Sequence, residues 1–223
     1  MTVNLKSKLF TTLLLFLIYF VYVNIITSIF GNSISVVFLS EFLFLFGIIY
    51  VFRKKIKEDY QKIREKKIWK QVLRSILFAL LLFVIYVAVG AVLTSIFPEM
   101  GVDDGNTVAI YSIYNIDTIY TIFKTLIFAA VAEELLFKES IRSIIKPNVL
   151  YVIISSVIYA FVNIMYNDLS LMITWLNMIP YLLFAILLNI IYVKNDNNIC
   201  LVMMVKFFYN LIPLAVLLSG LGA

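Results

Sequence analysis

Apolar runs of about 20 residues recur along this chain, and each matches the length of a helix crossing a bilayer core of about 30 Å. A backbone in hydrocarbon must satisfy its own hydrogen bonds, which leaves only helices and closed barrels. Barrel strands would read as alternating segments of roughly ten residues, and no such alternation runs through the sequence. The pattern therefore predicts an all-α fold, a polytopic membrane helix bundle with about seven transmembrane helices. The expected spans are 9–30, 33–52, 75–97, 119–137, 149–166, 170–193 and Ile199–Leu218. Composition agrees: 63% of residues are hydrophobic, against about 45–50% in soluble domains.

The net charge of +5 points to membrane topology and not to a nucleic-acid partner, because the basic residues crowd one inter-helix segment. Segment 53–74, RKKIKEDYQKIREKKIWKQVLR, should be cytoplasmic by the positive-inside rule. Alternation then puts the N-terminus, with Lys6 and Lys8, in the cytoplasm, along with Lys138, Arg142, Lys146 and Lys194. Segment 98–117 carries Glu99, Asp103, Asp104 and Asp117 and no basic residue, and is expected outside, as is the C-terminus. The first run is longer than a signal-peptide core and ends in a poor cleavage site, so it reads as an uncleaved span. The chain divides into two N-terminal transmembrane helices (1–52), a basic cytoplasmic loop (53–74) and a membrane core (75–223). The loop reads as an amphipathic helix with Ile56, Ile63, Ile68 and Trp69 against the membrane.

Ionisable groups inside spans cost about 2.5–3.5 kcal/mol each on insertion scales, so each needs an account. The costliest stretch is Ala129-Ala130-Val131-Ala132-Glu133-Glu134-Leu135-Leu136-Phe137-Lys138. Adjacent glutamates project about 100° apart on an α-helix, so at least one faces the bundle interior. Glu134 and Lys138 are spaced for an i,i+4 ion pair. Asn163 lies in a later span, and Lys206 and Asn210 share a face of the last one. These groups invite convergence in a buried cluster, with Lys206 against Glu133 or Glu134.

In order along the chain, these three segments resemble the signature motifs of the CPBP intramembrane protease family. That family includes CAAX prenyl proteases, bacteriocin-processing and immunity (Abi) proteins and proteins like lysostaphin resistance protein A. The family's Glu-Glu-x-x-x-Arg is similar to Glu133-Glu134-Leu135-Leu136-Phe137-Lys138, its Phe-x-x-x-His to Tyr159-Ala160-Phe161-Val162-Asn163, and its His-x-x-x-Asn to Lys206-Phe207-Phe208-Tyr209-Asn210. The resemblance implies a water-activating glutamate at Glu133, partnered by Glu134, with further site residues at Asn163, Lys206 and Asn210.

Both histidine positions are replaced, and the chain contains no histidine at all. Asn163 donates a hydrogen bond but cannot shuttle a proton. A protonated lysine is no metal ligand, and a zinc site wants His, Cys or carboxylate in tetrahedral array. No cofactor or metal is expected, and the single cysteine, Cys200, excludes an intramolecular disulfide. The sequence therefore reads as a catalytically degenerate relative that binds a partner or substrate in cell-envelope processes or bacteriocin immunity. Its expected partners are membrane lipids and an envelope protein, or a membrane-embedded peptide or lipoprotein. An active endopeptidase working through Glu133 and Glu134 without histidine is the alternative, and a transporter or channel a third reading.

The remaining polar residues read structurally. Glu41 is expected to be paired within the bundle, Lys124 to snorkel to the interface, and Cys200 to pack as a small residue. Pro180 and Pro213 are tolerated inside spans. Tyr50, Trp69, Tyr111 and Tyr192 fit interfacial belts.

Overall fold

A computed structural model describes residues 3–31, 33–98, 117–165 and 171–219. The acidic stretch with Glu99, Asp103 and Asp104, and Tyr111, lie outside the described residues. Every long element is helical: α1 (Val3–Phe30), α2 (Ile34–Glu65), α3 (Ile68–Ile96), a composite fourth span over 118–144, α6 (Asn148–Ile164), α7 (Leu171–Lys194) and α8 (Ile199–Leu218). The composite span opens as α4 (Thr118–Ile122), passes through two π-helical stretches, π1 (Phe123–Glu133) and π2 (Leu135–Ser140), and closes as α5 (Ile141–Ile144). Among the described residues these elements make seven helical segments, the number of spans expected, and the chain is a multi-pass membrane protein.

Local chemistry sets the helix starts. The Ser33 hydroxyl accepts from the Val36 amide (3.3 Å), the Asp117 carboxylate from Tyr120 (2.9 Å) and the Asn198 amide oxygen from Leu201 (3.0 Å). Each satisfies one of the orphan amides of a first helical turn. Between α2 and α3 the chain reverses at Lys67, whose φ of 65° lies in the left-handed region that side chains other than glycine rarely occupy.

The burial pattern is inverted relative to a water-soluble protein. Leu, Ile, Phe and Val side chains stand exposed along α1, α2 and α3, while Glu41, Glu134, Lys138, Asn189, Lys206 and Asn210 are buried. That arrangement suits lipid, where apolar surface costs nothing outside and polar groups must find partners inside. The composite span sits in the middle: α8 and α2 pack against π1, while α1 and α6 pack against π2. The two N-terminal helices thus touch the helix that carries the glutamate pair. The Thr12 hydroxyl donates to the Ser140 carbonyl at 3.2 Å, 128 residues away.

Three placements differ from expectation. α2 runs without a break to Glu65, and Ile63 is buried against the bundle instead of facing lipid, whereas Ile68 and Trp69 are exposed. Asp59, fully buried on that extension, explains the inward turn: it accepts from the Ile199 amide at 2.8 Å and pairs with Lys55 and Lys62 at 2.8 and 3.3 Å. Lys124 does not snorkel outward but donates to Glu41 at 3.0 Å, the partner that a buried carboxylate on α2 requires. Tyr192 is fully buried and donates to Glu139 at 2.5 Å, so it is not an interfacial belt residue, whereas Tyr50 is exposed. Cys200 packs with its thiol 3.4 Å from the Ile56 carbonyl.

Candidate functional site

The glutamate pair sits where π1 passes into π2. A π-helix bonds i→i+5 and is rare, occurring chiefly as single turns at functional sites. The wider turn also narrows the angle between consecutive side chains, so Glu133 and Glu134 diverge less than in an α-helix. Their environments still differ. Glu134 is fully buried, and one carboxylate oxygen lies 2.7 Å from the Lys138 ammonium, itself 1% exposed. That contact is an ion pair, and neither carboxylate oxygen has a hydrogen-bond partner among the described residues. Glu133 is half-buried and makes no hydrogen bond or ion pair among the described residues.

Lys206, on α8, is buried and donates to the Tyr159 hydroxyl at 2.6 Å. Its ammonium also lies 5.0 Å from the Tyr159 ring centre and 4.6 Å from that of Phe184, distances at which an aromatic face attracts a cation. The expected ion pair between Lys206 and Glu133 or Glu134 is not formed among the described residues. The phenol stands as the cation's bonded partner, while Lys206 and Glu133 remain coupled through space. Tyr159 is therefore the hub: its ring lies under both Lys138 (5.6 Å) and Lys206, and the charges of Glu133 and Glu134 act on its hydroxyl. Phe137 meets the same ring edge-on at 5.5 Å.

The two asparagines do different work. The Asn163 amide donates to the Tyr159 carbonyl one turn back at 2.8 Å and is half-buried, and its side chain also acts on the Tyr159 phenol. The Asn210 amide reaches across to the Thr125 carbonyl of π1 at 2.7 Å, tying α8 to the motif helix at a carbonyl of the π-helical stretch. The spacing of Lys206 and Asn210 thus serves two contacts, one to α6 and one to π1.

Tyr159 stands at the motif's phenylalanine position, where a tyrosine reads from sequence as a conservative replacement. Its extra hydroxyl is what receives Lys206. Tyr19 on α1 was also missed. It packs edge-on against Phe137 at 5.8 Å and carries interactions with Glu133 and Tyr159, so the first helix forms one wall of the cluster. A lone tyrosine in an apolar span gives no periodic signal that could have shown this.

A metal needs a converging donor set, and no group of three His, Cys, Asp or Glu side chains comes together among the described residues. Of the two adjacent carboxylates, Glu134 is already paired with Lys138. The residues present do not fit a zinc centre.

No curated protein and no solved structure gives a significant match to the chain. A family model does match: residues 115–212 fit the one described as Rce1-like, type II CAAX prenyl endopeptidase. All three motif-like segments lie inside that stretch, and the match supports the CPBP/CAAX protease family for this part of the membrane protein.

Proposed function

We propose that this protein is a catalytically degenerate family member that recognises a membrane-embedded peptide segment or envelope protein without cleaving it. The observation that carries this reading is the Lys206–Tyr159 hydrogen bond. At the position where the resemblance expects an imidazole, a cation is committed to a phenol, and at the other an amide is committed to its own helix. Neither side chain can take and return a proton as imidazole does. Glu134, the orienting partner in the family scheme, is bound to Lys138 instead of presenting a free carboxylate. The cluster then acts as a polar clasp joining π1, π2, α6 and α8 around Tyr159, with lipids and a membrane-embedded partner on the outside.

One observation favours a second reading. Glu133 is unbonded among the described residues and retains exposure, as a carboxylate that must reach water would. In that case Glu133 is the general base, and Lys206 with Tyr159 polarises the scissile carbonyl.

The test is complementation of a deletion strain with Glu133→Gln at matched membrane abundance. Full complementation supports the binding protein. Loss of function at unchanged abundance overturns it in favour of hydrolysis by Glu133.

A further inference from the structure

A cavity of about 500 Å³ opens at the end of the bundle where α1 begins and the composite span ends, well away from Tyr159 in sequence and lining. Four cationic side chains line it, Lys8, Lys55, Arg142 and Lys146, against one carboxylate, Glu139. Much of that positive charge is uncompensated. Lys55 is taken up by Asp59 at 2.8 Å. Arg142 donates only to neutral acceptors, the carbonyls of Ile145 (3.4 Å) and Lys146 (2.7 Å) and the Asn148 amide oxygen (2.7 Å). Those bonds use three of the five donors on a guanidinium. Lys8 and Lys146 form no ion pair among the described residues. The wall's single carboxylate is engaged by the Tyr192 hydroxyl.

The cations crowd one another. The Lys146 ammonium is pushed below the usual lysine range by partial burial first, and then by the nearby charges of Lys8 and Arg142. Like charges gathered around a concavity are unfavourable unless an anion joins them, and phosphate suits a guanidinium and ammonium set. The hydroxyls of Ser7 and Thr11 complete the wall. Further along the same face of α1 as Ser7 and Thr11, Leu14 and Ile18 are exposed at 42% and 40%, giving acyl chains an apolar surface that continues from the charged mouth.

We propose that this cavity binds a phosphate group, with Arg142, Lys146 and Lys8 as its cationic contacts, and that the phosphate belongs to an anionic phospholipid headgroup. Basic pockets between helices on the cytoplasmic side are suited to such headgroups. This site is separate from the glutamate cluster and stands whether or not Glu133 hydrolyses anything.

The test uses the full chain, purified in detergent, with thermal unfolding read in three probes: short-chain phosphatidylglycerol, short-chain phosphatidylcholine and inorganic phosphate. The wild type is expected to be stabilised by phosphatidylglycerol at concentrations roughly tenfold lower than by phosphatidylcholine, the scale of one or two basic contacts. Lys8→Gln with Lys146→Gln should abolish that preference, while Lys54→Gln with Lys57→Gln, at exposed positions outside the cavity, should keep it. If inorganic phosphate reproduces the stabilisation, the site stands and its ligand is a soluble phosphate. Equal response to the two lipids, or a preference that survives the cavity substitutions, overturns the proposal. Should the double variant fail to fold, Lys8→Gln alone, at an exposed side chain, reads the same preference.

Discussion

Glu41 and Lys124 meet at 3.0 Å across 83 residues of sequence, and that pair joins α2 to the first π turn of the motif helix. Glu41 is 3% exposed, whereas the Lys124 side chain is 42% exposed. The Tyr120 hydroxyl also accepts from the same ammonium, at 3.2 Å. The asymmetry in burial sets what each substitution does.

Lys124→Met strands the buried carboxylate and should destabilise the protein by about 2–4 kcal/mol, toward the lower part of the range for breaking a buried pair. Glu41→Gln with Lys124→Met removes both charges and should recover most of that loss. Thermal unfolding in detergent checks both. Equal destabilisation in the single and double variants would show that the ion pair is not what matters.

Lys206 and Tyr159 form a second testable pair. Tyr159→Phe leaves a buried ammonium without its hydrogen bond, and Lys206→Met leaves a buried hydroxyl without its donor. Each should cost about 1–3 kcal/mol. Because the two changes remove one shared bond, the double variant should cost less than the sum of the singles by roughly 1 kcal/mol or more. Strict additivity would contradict the hub role assigned to Tyr159.

Asn189 on α7 holds a fully buried network. Its amide nitrogen donates to the Ser155 and Ser156 hydroxyls at 3.1 and 2.9 Å, and its oxygen accepts from Tyr151 at 3.0 Å. Asn189→Leu leaves the buried Tyr151 and Ser156 hydroxyls without this partner where α6 packs against α7, while Ser155 keeps its bond to the Phe137 carbonyl at 2.7 Å. A loss of about 2–4 kcal/mol is expected from these unsatisfied groups together. Asn189→Asp should be no rescue, because it places an unpaired carboxylate among hydroxyls. Unfolding midpoints of the two variants decide this.

Orientation is open to cysteine labelling in a Cys200→Ser background. Lys66→Cys, on the exposed turn after α2, should react with a membrane-impermeant maleimide only after the membrane is opened. Thr118→Cys, exposed at the start of α4, should react in intact cells. Reversed labelling would invert the topology read from the basic 53–74 segment.

The periodicity of apolar runs determined the number and approximate ends of the helices by itself, because a hydrocarbon core dictates length. The last span, Ile199–Leu218, was placed to the residue. Spacing alone was also enough for Glu134 and Lys138, since i,i+4 neighbours on one turn need no tertiary information. Contacts between helices were a different matter. Whether Lys206 would meet a glutamate or a phenol depends on how α8 rotates against α6, and whether Lys124 turns outward or toward Glu41 depends on how α2 docks. The two π-helical stretches belong to the same class, since they shift the faces that a 3.6-residue period assigns. A buried charge dictates that some partner must exist. Which partner answers is settled only when the helices pack, because the cost of an orphan charge falls on the assembled bundle and not on any single span.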